Sequence, residues 1–153
     1  MTDILARRTL EEPAVEQAIE DLHGVLDQLW HDAAFVPAMD QMAFSTAVIE
    51  AASNVVRHGV AAQGSELLLG VELTVASGYL RAVISEIGAA PLDPVPDLEG
   101  PDLTALPDDA LLEDYDESGR GLSMIRALVT TVTVERQGDS NVWVLSRDAG
   151  EGH

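Results

Sequence analysis

The sequence predicts an α/β protein: a two-layer sandwich in which helices cover one face of a mostly antiparallel sheet. Two observations support this prediction. Apolar residues recur at helical spacing in two segments before residue 60, and they alternate as in strands in several segments after it. With 153 residues, of which 46% are hydrophobic, the chain can bury one core, and we expect a single domain spanning residues 1–153.

The N-terminal part predicts a weak edge strand followed by two long helices. Residues 3–10 are interpreted as the strand, and Pro13 as part of the first turn of a helix that runs to about Trp30. A second helix begins near Met39 and ends at Gly59, where we expect a left-handed cap. One stripe of this second helix should pack against the sheet, and it consists of Phe44, Val48, Ala51 and Val55.

The C-terminal part predicts two hairpins separated by a short helix. Residues 66–75 and 79–87 form the first hairpin, in which apolar and polar residues alternate clearly in the second strand. A helix over 122–128 follows later in the chain. Strands over 129–136 and 141–147 form the second hairpin, joined by a Gly-Asp-Ser turn.

Residues 88–118 differ from the rest of the chain in composition. They include five of the seven prolines, ten acidic residues and no basic residue. Such a segment does not easily form regular structure, and a long irregular insertion in a small domain is usually functional or disordered. We interpret it as a lid or a partner-contacting loop; a plain disordered insertion is the open alternative.

The charge of the protein limits its partners. The formal net charge is −19, from 27 acidic and 8 basic residues, and all eight basic residues are Arg. This balance argues against binding to nucleic acid or to an anionic membrane, while a local phosphate site or a protein partner with a basic face stays compatible with it. Because the chain has no cysteine, no signal-like N-terminus and no membrane-length apolar run, we expect a cytoplasmic protein.

The second predicted helix carries a row of polar side chains. Glu50, Asn54 and His58 recur at steps of four residues, which places them on one helix face, and Arg57 lies on its outer flank beside Glu50. The row offers a base, a neutral oxygen ligand and a titratable imidazole. The alternative, left open by the spacing, is an amphipathic helix whose polar edge carries these residues by chance.

Two short glycine motifs accompany this row. Glu86 and Gly88 end the first hairpin, where a carboxylate and a residue without a side chain meet a loop. The segment Gly119-Arg120-Gly121-Leu122 leads into the third helix, where free N–H groups and the helix dipole suit an anion. Trp30 and Trp143 are interpreted as core or interface residues and receive no functional role.

Taken together, the three motifs resemble those of the Bergerat ATP-binding fold, shared by gyrase, heat-shock chaperone, histidine-kinase and mismatch-repair ATPases. Within it the chain is most similar to the small bacterial anti-sigma-factor serine kinases. IEAASNVVRHG resembles the asparagine-containing box of that family, and ESGRGLSMIRALVTTVTVE resembles its second glycine box with the following strand. The likeness extends from about residue 10 to residue 147.

For the helix row, the resemblance implies roles in phosphate chemistry. Asn54 would ligate Mg²⁺, and Glu50 would be the catalytic base that accepts the proton of an incoming serine hydroxyl. His58 and Arg57 would lie near the phosphate end of a bound ATP, with Arg57 a candidate for stabilising charge.

For the glycine motifs, the resemblance implies contacts to the nucleotide. Glu86 and Gly88 would bind at the adenine end, and the loop of Gly119, Arg120 and Gly121, followed by Leu122, would hold the phosphates. The intervening segment would be the ATP lid. The family pattern has Asp-x-Gly-x-Gly where this chain has Glu86-Ile87-Gly88-Ala89-Ala90, so the acceptor side chain is one methylene longer and Ala replaces the second Gly.

The resemblance therefore implies an ATP- and Mg²⁺-dependent serine kinase and anti-sigma factor. Its partners would be a sigma factor and a STAS-domain antagonist that it phosphorylates, with no nucleic acid or membrane, and a homodimer is a further expectation. The main alternative is a non-catalytic interaction module with a degenerate nucleotide site. A free-standing ATPase or a fragment of a sensor histidine kinase is a third interpretation.

Overall fold

The protein is described here from a computed structural model, which covers residues 3–92 and 117–149. In chain order the elements are β1 (Ile4–Pro13), α1 (Glu16–Asp32), α2 (Ala38–His58), β2 (Leu68–Ala76), β3 (Tyr79–Ile87), α3 (Glu117–Leu128), β4 (Thr131–Gln137) and β5 (Ser140–Asp148). Within these residues, the structure contains no helix that is both long enough and apolar enough to cross a membrane.

The five strands form one antiparallel sheet in the order β1-β2-β3-β5-β4. Strand β1 lies at one edge, as predicted for residues 3–10, and β3 has the bounds expected for the second strand of the first hairpin. The two hairpins meet where β5 pairs with β3, in a register that places Trp143 opposite Ile84. The α/β prediction with a mostly antiparallel sheet is confirmed.

The helices bury one face of this sheet because their apolar residues lie on single stripes. In α2 the predicted stripe is buried, and Phe44 and Val48 are fully enclosed. Facing it, every second residue is buried along β3 and over residues 68–73 of β2, as the alternation of a half-covered sheet requires. The core formed in this way includes Leu22, Leu26, Leu29, Phe44, Val48, Val55, Leu69, Leu73, Leu80, Ile84 and Leu145.

Pro13 ends a strand instead of beginning a helix, so that prediction was wrong. It pairs with Leu68 at the end of β1, and α1 begins at Glu16 with Val15 in the capping position. Proline lacks an N–H group, but an edge strand leaves one side of its backbone unpaired, so it tolerates proline at its end. The continued pairing with β2 outweighs the preference of proline for a first helical turn.

Gly59 ends α2 as predicted, but not through a left-handed conformation. Its φ of −63° and ψ of 142° are extended. The residue must be glycine for a different reason: a Cβ there would lie 2.5 Å from the carbonyl oxygen of Val55 and 2.7 Å from a methyl group of Leu67. The chain therefore leaves α2 through a space too narrow for any side chain.

Most of the acidic segment, residues 93–116, lies outside the described residues, and so do its interpretation as a lid and its open alternative. The described residues on either side of 93–116 are more regular than the prediction of an irregular segment over 88–118. Residues 88–90 are held in hydrogen bonds after β3, and α3 begins at Glu117, five residues earlier than Leu122. The glycines at 119 and 121 thus belong to the first turns of a helix and not to a loop before it.

Candidate functional site

A cavity of about 160 Å³ opens at the end of the sheet where α2 and α3 approach each other. Its walls come from the C-terminal half of α2, the end of β3 and the loop after it, the middle of β5 and the middle of α3. The lining residues are Ala51, Asn54, Val55, His58, Glu86, Leu92, Leu122, Ile125 and Trp143. The walls are mostly apolar, with a few polar groups, which is the usual character of a small-molecule site.

Helix α2 contributes the polar row predicted from its spacing. Asn54 and His58 line the cavity, one turn apart. Glu50 lies one turn earlier, outside the lining residues, and its Oε1 is 3.6 Å from a guanidinium nitrogen of Arg57. The same guanidinium donates a long hydrogen bond of 3.5 Å to the side-chain oxygen of Asn54. Arg57 thus connects the two oxygen-bearing side chains of the row.

Strand β3 contributes a buried carboxylate, Glu86, which is 4% exposed. Its Oε2 accepts a hydrogen bond of 2.9 Å from the indole Nε1 of Trp143 on β5. Burial raises the pKa of the Glu86 carboxyl above its ordinary value, while the hydrogen bonds from Trp143 and Asn141 and the nearby charge of Arg136 oppose that rise. The cavity therefore contains an acceptor that is buried but supported by donors and by a positive charge.

The loop after β3 is held by contacts with the segment between α2 and β2. Gly88 has a φ of +77°, and a Cβ there would lie 2.5 Å from the backbone oxygen of Glu66, so this position requires glycine. Ala90 donates its N–H to the carbonyl of Val60. No non-glycine residue in the described part of the chain has a positive φ, so alanine at position 90 introduces no backbone strain.

Two polar side chains of the second hairpin complete this attachment. Arg136 donates to the carbonyl of Ala89 at 2.7 Å and to the side-chain oxygen of Asn141 at 3.2 Å. Asn141 in turn donates to the carbonyl of Ala90 at 2.8 Å. Through these bonds the hairpin of β4 and β5 holds the loop that follows Glu86. Ala89 and Ala90, which follow Gly88, are therefore fixed in position.

Comparison with known proteins identifies the family. The model of the histidine kinase-like ATPase domain matches residues 7–146, which is most of the chain. The chain belongs to this family. A search of curated proteins found no match.

The ATPase domain also has a solved structural relative. A crystal structure of the RsbU and RsbW domains of Rv1364c from Mycobacterium tuberculosis matches 94% of this chain with a TM-score of 0.60 and 19% sequence identity. The match covers 33% of the other chain, so this protein spans about a third of its length. At this identity the likeness concerns the fold, and it agrees with the family assignment.

Helix α3 contributes to the site of the ATPase domain through its middle turns. Residues 117–120 are helical, and Leu122 and Ile125, on the following turns, line the cavity. The first four N–H groups of a helix have no intrahelical carbonyl partner, and Gly119 and Arg120 lie within this turn of α3. The side chains of 117–121 lie outside what the structure describes.

A partly buried ion pair fixes the C-terminal end of α3. Arg147 of β5 lies 2.9 Å from the carboxylate of Asp40, in the first turn of α2, and Asp40 is 8% exposed. The same guanidinium donates to the carbonyl of Leu128 at the end of α3, at 2.6 Å. The pair therefore ties α2 and α3 to the sheet.

Asn54 gives the site a neutral side-chain oxygen of the kind that a metal ion accompanied by phosphate can use. Among residues 3–92 and 117–149, no three His, Asp or Glu side chains form a group that could hold a metal ion. Asn54 supplies a side-chain oxygen whose bond to Arg57 is long. Mg²⁺ commonly takes few protein ligands and completes its shell with phosphate oxygens and water.

The structure brings together Asn54, His58, Glu86 and Leu122 of the predicted site residues, with Glu50 and Arg57 beside them. The interpretation of Trp143 as a packing residue missed its position in the cavity and its bond to Glu86. The alternation within β5 could have placed Trp143 on one face of a strand, but its alignment with β3 depends on a long-range pairing that local patterns do not encode.

Proposed function

We propose that this chain is an ATP-dependent serine/threonine protein kinase that also acts as an anti-sigma factor. Its substrate is a serine of a STAS-type antagonist, and phosphorylation of that serine switches the binding partners. The observation that carries the proposal is the gathering of Asn54, His58 and Glu86 in one cavity of a histidine kinase-like ATPase domain. The fold likeness to a structure containing an RsbW domain supports the regulatory part.

In this proposal the nucleotide base occupies the cavity. The exocyclic amino group of adenine donates a hydrogen bond to the buried carboxylate of Glu86, and the apolar side chains of Ala51, Val55 and Ile125 surround the ring. The longer side chain of Glu86, compared with aspartate, is accommodated because the Trp143 indole holds one of its oxygens.

The phosphates extend toward Asn54 and the first turn of α3. The N–H groups of that turn and the positive end of the helix dipole favour an anion. This local attraction operates despite the net charge of −19 because salt screens distant charges beyond about 8 Å. Asn54 would hold Mg²⁺, which supplies positive charge to the phosphate oxygens when bound. Arg57, next to Asn54, adds a further positive charge at that end.

Glu50 is the proposed catalytic base. Its carboxylate accepts the proton of the serine hydroxyl as the serine oxygen forms a bond to the γ-phosphorus and the bond to the bridging oxygen of ADP breaks. ADP leaves with that oxygen and the phosphoserine stays on the antagonist. Glu50 suits this role because its side chain is partly exposed and lies one helical turn from Asn54.

Calorimetric titration with ATP and Mg²⁺ tests the proposal. We expect micromolar binding, about −8 kcal/mol, for the native chain, and its loss in Asn54→Ala. Ser53→Ala is the matched control, since Ser53 lies on the same helix outside the cavity lining, and it should bind like the native chain. No binding heat with the native chain would refute the proposal.

A non-catalytic interaction module is the second candidate, and the changed glycine motif favours it. The side chain of Glu86 is longer than the aspartate of the family pattern, and Trp143 is bonded to it, so less room is left where the nucleotide base would bind. The cavity is also small, at about 160 Å³. The same titration separates the candidates, because a module that has lost nucleotide binding would give no heat with either the native chain or the Asn54 variant.

A further inference from the structure

Helix α2 presents a second surface, on the side away from the sheet. Six of its residues follow one another at alternating steps of three and four, and we call them the outer seam: Met39, Met42, Thr46, Ile49, Ser53 and Val56. None of the six is buried, and Met39 and Met42 are 76% and 70% exposed. Thr46 lies two positions after the core residue Phe44, which at about 100° per residue places the two on opposite sides of the helix. The seam is therefore separate from the stripe that packs on the sheet.

The outer seam lacks the charges that usually cover an exposed helix face. Charged residues make up 23% of the sequence, yet over residues 38–56 they are limited to Asp40 and Glu50. Asp40 is nearly buried and paired with Arg147, so it does not serve the outer face. An exposed helix normally carries polar and charged side chains opposite its core stripe, and contiguous exposed apolar surface usually marks an interaction site. The composition of this face therefore predicts a protein partner with an uncharged, apolar surface.

The spacing of the seam indicates the shape of that partner. Alternating steps of three and four are the pattern of a helix that packs lengthwise on another helix. At about 1.5 Å per residue, the seam is about 26 Å long. Its two methionines are flexible side chains that adapt to the surface they meet. The seam therefore fits one face of a partner helix.

The seam also passes directly beside Glu50, the proposed base, so this inference rests on the proposed function. Glu50 lies one turn after Thr46 on the same side of α2, is partly exposed and is outside the cavity lining. A serine that gives its proton to Glu50 must therefore arrive from outside the cavity, and the protein that carries it covers the adjoining part of α2. Met42 lies about 12 Å before Glu50 along the helix, which is within the roughly 800 Å² that a protein partner covers.

We propose that the outer seam is the docking surface for the serine-bearing antagonist. The antagonist lays an apolar helix face along Met39, Met42 and Thr46, and this contact presents its serine to Glu50. The seam supplies affinity and position, while Glu50 supplies the chemistry. Recognition of the substrate protein is thus separate from recognition of the nucleotide, which occupies the cavity on the other side of the base.

Steady-state kinetics test the docking role. The probes are STAS-domain proteins of the source organism, each purified and supplied with MgATP. With the one that accepts phosphate, Met42→Glu should raise the KM for that protein at least about tenfold, because docking would bury a carboxylate against an apolar surface. The kcat and the Kd for ATP should stay within about twofold of the native values, since the base and the cavity are unchanged.

Two further variants serve as controls for charge and for shape. Ile4→Glu adds the same charge at an exposed apolar residue of the edge strand β1, and it should keep the native KM. Met42→Leu keeps an apolar side chain of similar volume and should also keep it. A KM that rises only in Met42→Glu assigns the effect to the seam.

A second readout uses the absence of cysteine from the chain. Met42→Cys and Ile4→Cys each introduce a single thiol, and both should react rapidly with a maleimide in the protein alone. Saturation with the STAS-domain protein and a non-hydrolysable ATP analogue should prevent most of the labelling in Met42→Cys and leave Ile4→Cys unaffected. This measurement does not depend on phosphate transfer.

The outcomes distinguish the inference from the function on which it rests. Phosphate transfer with a native KM in Met42→Glu, or without protection of Met42→Cys, overturns the inference and leaves the proposed function intact. Slow labelling of Met42→Cys in the protein alone means that a second copy or another segment of this chain covers the seam, and it also overturns the inference. Absence of transfer by the native protein to any of the STAS-domain proteins overturns both.

Discussion

The space around Gly59 allows no side chain, and this makes the end of α2 a sensitive position. We expect Gly59→Ala to lower the free energy of unfolding by about 1–3 kcal/mol, because its Cβ would meet the Val55 carbonyl and Leu67 at 2.5 and 2.7 Å. Urea denaturation measures the change. Gly24→Ala is the control: nothing lies within 4 Å of its new Cβ in the exposed middle of α1, so it should stabilise the protein by about 0.5–1 kcal/mol. Equal effects in the two variants would contradict the steric argument.

The proposed base makes a separate prediction at the same scale. Glu50→Gln removes the proton acceptor but keeps the shape of the side chain, so transfer of phosphate from ATP to the antagonist should fall at least 100-fold while the Kd for ATP changes little. Radiolabel transfer and calorimetry measure the two effects. Because the Glu50–Arg57 pair is partly exposed and 3.6 Å long, its loss should change stability by less than about 1 kcal/mol.

The matched control for Glu50 is Glu72→Gln, which removes a carboxylate on the opposite face of the sheet, where it pairs with Arg7. Undiminished phosphate transfer by Glu50→Gln would exclude this residue as the base. A loss of ATP affinity as large as the loss of transfer would instead assign it to binding.

Single residues differed in how well the sequence predicted their place. Asn54 and His58 were recognisable because helical periodicity is local, and the structure puts both in the cavity. Trp143 was not, because its partner Glu86 is 57 positions away and the pairing depends on the whole sheet. For Gly59 the residue type was understood but the reason was not, since close approach to Leu67 is a tertiary contact.

Between elements, the Asp40–Arg147 pair joins α2, α3 and β5. Arg147→Met should lower the free energy of unfolding by about 2 kcal/mol, because it leaves a nearly buried carboxylate and the Leu128 carbonyl without this donor. Arg7→Met, which breaks an exposed pair with Glu72, is the control and should cost less than about 1 kcal/mol. Thermal and urea denaturation give both values.

A double-mutant cycle tests whether the two groups act together. The double variant Asp40→Asn/Arg147→Met should be destabilised by less than the sum of the two single changes. Once residue 40 is uncharged, the loss of the Arg147 charge costs less. Additive effects would mean that the contact contributes little and that each residue acts through other neighbours.

The bounds of elements followed from local patterns where these were strong. The alternation in β3 predicted Tyr79–Ile87 correctly, and the apolar stripe of α2 is buried as expected. Where local signals competed, tertiary pairing decided. Pro13 joined an edge strand because β2 continues beside it. The local glycine signal also misplaced the start of α3, which begins at Glu117.

At the scale of the whole molecule, the sandwich was predictable but the order of its strands was not. Each hairpin can be recognised from a turn between two alternating segments. The junction of the hairpins, in which β5 lies between β3 and β4, brings together segments far apart in the chain. That junction also brings Trp143 beside Glu86 in the cavity, so the site is a product of topology as much as of its motifs.

The protonation of Glu86 couples this site to the stability of the whole fold. Because burial raises its pKa, the folded state holds a proton on Glu86 over a pH interval just above the ordinary carboxyl pKa, where the unfolded state has released it. The contribution of Glu86 to stability is therefore complete below the ordinary pKa, and it is lost as pH rises through the raised pKa. The net charge of −19 acts in the same direction, since repulsion also grows with pH.

Comparison of two variants separates these effects. In Glu86→Gln no proton is bound or released at position 86, so the free energy of unfolding should fall less steeply with pH across this interval than in the native protein. Urea denaturation at several pH values measures both slopes. Glu66→Gln removes the same negative charge from an exposed position and accounts for the change in repulsion. If the two variants depart from the native curve in the same way, general repulsion explains the pH dependence. A shallower slope in Glu86→Gln alone assigns it to the buried carboxyl beside Trp143.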